Sequence, residues 1–166
     1  MKSGVDSFPN HKLLNKIGIF GLGNPLMGDD GIGIAVIKAL ENKSIPKNIS
    51  IIDIGTSGFN LLHVLNDFDV AIIVDAVDFG GLPGESCSFS PEDVRLAQRK
   101  IGLSTHEGDL LNIIKLFEKL NGKSKIIKIF AIQPEMVTPS MKLSVSLTKK
   151  LLEYTNDIIK LVSNYI

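Results

Sequence analysis

The chain of 166 residues has one cysteine, Cys87, and no tryptophan. A single cysteine excludes an internal disulfide and any cysteine-based metal cluster, and it suits a reducing compartment, so a cytoplasmic protein is expected. Charge of one sign is also lacking, because eighteen Lys and Arg residues oppose eighteen Asp and Glu. That balance supplies no general attraction to nucleic acid or to an anionic membrane surface. No apolar run has the length of a membrane span, and the opening MKSGVDSFPNHKLLNK has no apolar stretch of the secretory kind. Several familiar site patterns are missing too. GLGNPL carries Leu26 where a dinucleotide fingerprint needs its third glycine, and no G-x-x-x-x-G-K-[ST] or H-E-x-x-H occurs. Gly55-Thr56-Ser57-Gly58-Phe59 lacks the last glycine of a nucleophile elbow.

What is present is an apolar fraction of 44%, enough for one compact domain. Residues 1–15 read as a polar leader and 16–166 as a single α/β domain. Apolar, β-branched runs predict strands over Lys16 to Gly21, Ile49 to Ile54, Val70 to Val74 and Ile126 to Ile132. Ser86 to Phe89 alternates and reads as an edge strand. Between them, periodicity predicts a helix from Asp30 to Asn42, stopped by Pro46. A short one follows Thr56-Ser57-Gly58, with Phe59, Leu62 and Leu65 on one face. Ser90-Pro91-Glu92-Asp93 and Ser104-Thr105-His106-Glu107 are capping signals. The second opens a helix with Leu110, Ile113, Ile114, Phe117 and Leu120 on one face, ended by Asn121-Gly122. A last helix, from about Ser140, repeats Leu147, Leu151, Tyr154, Ile158, Leu161 and Tyr165. Strands alternating with helices imply a three-layer α/β/α sandwich around a mostly parallel, twisted sheet of about five strands, with one antiparallel edge strand.

The stretch Gly21 to Gly33, GLGNPLMGDDGIG, joins the first strand to the first helix. A strand, a glycine-rich turn and a helix in that order mark the sheet edge where open α/β proteins keep their sites. The adjacent carboxylates Asp29 and Asp30 would repel a phosphate. Asp30 at a helix start, Asp75 at the end of the third strand and His106 in the first turn of the helix opened by Ser104 all belong to that edge. Two carboxylates and an imidazole form a plausible ligand set for a first-row divalent metal, and a helix N-terminus keeps His106 neutral enough to donate its lone pair. Each residue also has a plainer role: a cap for Asp30, a half-buried carboxylate for Asp75, a polar surface residue for His106. Asp53 reads first as a turn residue bonding the backbone that follows it. His63 reads as a helix-surface residue and Cys87 as a small core filler; His11 lies in the leader.

With these residues in place, the chain resembles the hydrogenase maturation endopeptidases, which trim the C-terminal extension from the large-subunit precursor of nickel-iron hydrogenases. The likeness rests on Gly21 to Gly33 as G-x-G-N-x-x-x-x-D-[DE]-x-x-G, on Ile51-Ile52-Asp53-Ile54-Gly55-Thr56-Ser57, on Ile73-Val74-Asp75-Ala76, on Ser104-Thr105-His106 and on Ile132-Gln133-Pro134-Glu135. These run in the family's order from about residue 16 to the last helix. The resemblance implies a metal-dependent or aspartic-type endopeptidase whose nickel-recognising catalytic residues fall on Asp30, Asp75 and His106. The nickel is carried by the precursor rather than stored in the enzyme. Some family members have glutamate at the position of Asp30, and many have a glycine pair where this chain has Ile54-Gly55. Asp53 and Asn24 are the candidate substrate-recognising residues, and Asp29 is a candidate neighbour of the ligands. The Gln133-Pro134-Glu135 form resembles the formate-hydrogenlyase or coenzyme F420-reducing branch. Two other readings stay open at this point: a nucleotide-binding α/β module, and a nickel-sensing maturation chaperone that binds the precursor without cutting it.

Overall fold

The computed structural model describes residues 15–93, 105–121 and 125–166, with backbone only over 105–109. The elements, in chain order, are β1 Ile17–Leu22, a 3-10 turn Gly28–Gly31, α1 Ile32–Glu41, β2 Ile49–Gly55, α2 Leu61–Val64, β3 Val70–Ala76, β4 Ser86–Phe89, α3 Thr105–Asn121, β5 Ile126–Ile132, α4 Val145–Lys149 and α5 Leu151–Ser163. The sheet has the order β2-β1-β3-β5-β4. β1 pairs in parallel with β2 and β3, β3 in parallel with β5, and β4 antiparallel with β5. The expected five-stranded, mostly parallel sheet with an antiparallel edge is therefore present.

Strand alternation sends side chains to two separate cores. Ile17, Ile19, Val70, Ile72, Val74, Phe130 and Ile132 face α1 and the C-terminal helices, where Ile37, Leu40, Tyr154 and Ile158 cover them. Phe20, Leu22, Ala71, Ile73, Ile127 and Ile129 face α2 and α3, meeting Leu61, Ile114 and Phe117. Phe20 and Phe68 stack edge to face, with centroids 5.3 Å apart. A side chain buried as fully as Phe117 or Ile72 contributes roughly 1.5–3 kcal/mol. The two filled cores hold the sheet edges in fixed relation to the helices.

Two predicted helix starts move, and two helices bury different side chains from those their spacing predicts. The last helix begins at Val145 rather than near Ser140 and breaks at Lys150. The N–H of Ser140 donates to the Leu26 carbonyl and that of Ser144 to the Asp29 carboxylate, so the chain is tied elsewhere before it can coil. The helix predicted from Asp30 begins as a 3-10 turn and becomes α-helical only at Ile32. Around α2 the buried side chains are Leu61 and Leu65, whereas Phe59 is 62% exposed. Leu120 of α3 also points outward, and Leu111 takes a buried place instead. The first capping box is formed: the Ser90 N–H donates to Asp93 Oδ2 at 2.7 Å and the Asp93 N–H to Ser90 Oγ at 3.3 Å. The second, at Ser104, and the leader before Asn15 lie outside the described residues.

Candidate functional site

The direction of chain progression reverses between β1 and β3, because β2 lies on one side of β1 and β3 on the other. At such a switch point the loops leaving the two strands part and open a crevice. The loop after β1 turns back at Gly23, whose φ is +125°; a Cβ there would sit 1.8 Å from the Asp30 carbonyl oxygen. Gly33 lets α1 descend onto the sheet edge, since a Cβ there would lie 2.2 Å from the Leu22 carbonyl oxygen and 2.4 Å from that of Val74. This one close approach brings together the ends of β1 and β3. Asp30 lies three residues before Gly33, and Asp75 directly follows Val74.

Asp30 is half-buried, and its Oδ2 accepts the Asn24 N–H at 2.9 Å. Asn24 Oδ1 in turn accepts the Leu26 N–H at 3.0 Å, so the Asn24 side chain shapes the loop. Asp75 is half-buried in the last turn of β3, and alternation from Ala71 and Ile73 places it on the face covered by α3. α3 runs from the C-terminal edge of the sheet to the opposite one. Ile113 lies against Gly58, just beyond β2, whereas Asn121 accepts a bond at 3.1 Å from Asn66, just before β3. The first turn of α3, with His106, therefore belongs to the edge that carries Asp30 and Asp75. The His106 side chain is outside the described residues, and among those described no three His, Cys, Asp or Glu side chains cluster.

Asp29 behaves quite differently from its neighbour. It is fully buried, and its Oδ2 accepts the N–H groups of Glu135 at 2.9 Å and Met136 at 3.0 Å while Oδ1 accepts that of Ser144 at 2.7 Å. Burial alone would raise its pKa, but the bonds from Ser144, Met136 and Glu135 outweigh it and hold the carboxyl below its ordinary 3.8. Asp29 is thus a clamp between the 3-10 turn and the loop that precedes α4. Nothing local in the sequence marks this, because its partners are 106 to 115 residues away.

A second clamp was equally hidden. Gln133, buried, accepts the N–H groups of Phe79 at 3.0 Å and Gly81 at 3.1 Å and donates to Asp78 at 3.0 Å. It thereby orders the loop leaving β3, close to Asp75. Tyr154 donates its hydroxyl to the Gly84 carbonyl of the same loop at 2.7 Å. Burial, then Glu153 and Asp29, push that phenol up to about 12, so it stays a neutral donor. Asp53 is exposed, and its Oδ1 accepts the Gly55 N–H at 2.8 Å, the turn role first read for it. His63 is exposed on α2, and Cys87 is half-buried on β4, where burial and then Glu85 push its thiol up.

The glycine-rich turn is no phosphate cradle. The Gly28 N–H donates to the Ser140 carbonyl, that of Asp29 to Met136, that of Asp30 to Met27 and that of Asn24 to the Asp30 side chain. These amides are consumed internally, which counts against the nucleotide-binding reading. No helix among the described residues is long and apolar enough to cross a membrane.

Comparison with known proteins agrees with this architecture. A model of the hydrogenase maturation protease family matches residues 34–164. The chain is 31% identical over 132 residues to the hydrogenase 2 maturation protease of Escherichia coli, covering 78% of this chain and 79% of that protein. It is 32% identical over 97 residues to the hydrogenase expression/formation protein HupD of Rhodobacter capsulatus, covering 58% of this chain. The chain spans about half of that relative, 46% of its length. Among solved structures it is similar to the hydrogenase maturating endopeptidase HybD from E. coli, with a TM-score of 0.78 and 25% identity over 90% of this chain and 93% of the other. A matched stretch of this extent places the chain in the hydrogenase maturation protease family.

Proposed function

We propose that the protein is an endopeptidase that removes the C-terminal extension of a nickel-iron hydrogenase large-subunit precursor after nickel has been inserted. The observation that carries this reading is the Gly33 contact, which sets Asp30 and Asp75 at one edge that α3 also reaches with His106 in its first turn. In this reading the nickel belongs to the substrate. The carboxylates of Asp30 and Asp75 and the imidazole of His106 reach the metal in the loaded precursor, a donor set suited to a first-row divalent ion with positions left open. Engagement of that metal selects loaded precursors and holds one peptide bond at the site. Positioning of this kind supplies on the order of 7–11 kcal/mol in favourable systems. At the start of α3, the helix dipole favours the neutral imidazole that a ligand needs. Asp30 has the shorter of the two side chains found in the family, so the metal sits deeper or a water bridges it. The Gln133-Pro134-Glu135 form supports service to a hydrogenase of the formate-hydrogenlyase or F420-reducing branch, and the single cysteine suits action in the cytoplasm.

The test is cleavage of hydrogenase large-subunit precursor in parallel nickel-loaded and nickel-free forms. Cleavage of the loaded form alone is expected. Cleavage of both forms equally would remove nickel from the mechanism. Binding of the loaded form without cleavage would favour a maturation chaperone.

A further inference from the structure

The loop that carries Asp30 on one side lines a cleft on the other. This cleft, about 490 Å³, lies between the first turns of α1 and the segment leading into α4. Pro25, Ile34, Ala35 and Leu143 give it an apolar lining, Lys38 and Lys142 add two exposed cations, and no carboxylate lines it. The volume lies in the range of ligand-sized pockets, roughly 300–1,000 Å³. In a chain with no net charge, two lysines around one apolar cleft with no acid among them form a local cationic site. The loops that contribute to the cleft also bear exposed apolar side chains, of which Met141 lines the cleft itself. Leu26 is 59% exposed, Met136 56%, Val137 48% and Met141 83%. These side chains stand on two loops bonded to each other, the Ser140 N–H to the Leu26 carbonyl at 3.0 Å and the Gly28 N–H to the Ser140 carbonyl at 2.8 Å. Exposed apolar surface on a pinned backbone, rimmed by charge, is the character of a binding surface rather than of a solvated loop.

We propose that this cleft docks an extended segment of the precursor polypeptide that carries apolar side chains and at least one carboxylate. The inference rests on the precursor-processing reading above and adds to it where the protein chain of the substrate is gripped. Charge complementarity selects the occupant: the apolar lining accepts side chains, and Lys38 and Lys142 neutralise a carboxylate beside them. Gly28 and Gly31 line the cleft, while Asp30, between them in the same 3-10 turn, serves the proposed metal edge. A segment held in the cleft is therefore one turn of backbone away from the residues that meet nickel. The Asp29 clamp joins the turn to the loop before α4, so the cleft and that edge are positioned by one rigid connection.

The experiment uses the full chain and a hydrogenase large-subunit precursor that carries nickel. KM and kcat are measured for wild type, for Lys38→Glu combined with Lys142→Glu, and for Ala35→Phe, which fills the cleft without changing charge. The charge reversal is expected to raise KM by about tenfold or more and to change kcat by less than about twofold. Wild-type KM should rise with salt, and the charge reversal should abolish that rise. Ala35→Phe should raise KM similarly, and reversal of Lys115 and Lys119 on α3 should leave it unchanged. An unchanged KM in the first two variants, or a loss confined to kcat, overturns the docking site while leaving the proteolytic reading standing. If wild type cleaves no precursor, the proteolytic reading falls and this inference falls with it.

Discussion

Asp29 and Asp30 are adjacent in the chain and serve opposite sides of one 3-10 turn. Asp29 points inward, is fully buried and satisfies three backbone N–H groups on the loop before α4. Asp30 stays half-buried at the sheet edge and accepts the backbone N–H of Asn24. Chemically identical side chains thus divide into one that immobilises the turn and one that the turn presents. A buried carboxylate is costly unless its oxygens are fully bonded, and once they are bonded it is no longer available to a substrate. The half-bonded one keeps lone pairs for a ligand.

The widest separation between the two should come in activity. Asp30→Ala, and likewise His106→Ala, are expected to reduce precursor cleavage at least about a hundredfold. Asp30→Ala should change unfolding free energy by less than about 1 kcal/mol, the worth of one part-exposed hydrogen bond. Asp30→Glu should retain part of the activity. Full activity in Asp30→Ala would break the comparison at once. Next comes Asp29→Ala, which leaves three N–H groups without their acceptor and is expected to cost about 3–5 kcal/mol in urea unfolding at pH 7. Asp29→Asn keeps one oxygen acceptor and should cost less, roughly 1–3 kcal/mol.

The acid dependence sharpens the same contrast. The folded state holds the Asp29 carboxyl below 3.8, so its stabilising contribution is complete above that value and is lost as pH falls through the depressed folded pKa. Urea titrations from pH 5 downward should show wild type losing stability below pH 3.8 more steeply than Asp29→Asn; parallel curves would deny Asp29 its role. The smallest effect belongs to Asp53→Ala, which removes one exposed bond to Gly55. It should lower stability by about 0.5–1 kcal/mol. A rise in KM beyond that loss would give Asp53 the substrate-recognising role.

Much of the fold was legible because its signals are local. Val70 to Val74 reads as a doubly buried strand from composition alone, and all five residues are buried. Ser86 to Phe89 reads as an edge strand from its alternation and pairs antiparallel at the end of the sheet. The Ser90 cap needed only four residues to declare itself. The errors fall where distant partners intervene. Phe59 suits a helix stripe by spacing, but the turn before α2 sends it to solvent while Leu61 enters the core. Ser140 to Ser144 has no helix breaker, yet its N–H groups are claimed by Leu26 and Asp29. At the candidate site, Asp30 and Asp75 could be assigned to one edge from strand and helix order. Their bonding could not. Nor could Gln133 be recognised as a clamp, because its partners at Phe79 and Gly81 lie more than fifty residues before it.

Sequence alone determined where most strands and helices lie, that the sheet is mostly parallel, and that the GLGNPLMGDDGIG stretch meets it at the C-terminal end of its first strand. These follow from periodicity, capping and turn chemistry, which act over a few residues. Only the tertiary structure decided which of two neighbouring aspartates is buried and which is offered, where the last helix can begin, and that a cationic apolar cleft backs the same turn. Those outcomes depend on which backbone donors lie within bonding distance after the chain has closed on itself. Hydrogen bonds and burial are settled by proximity in space, and successive residues in a tight turn face different surroundings.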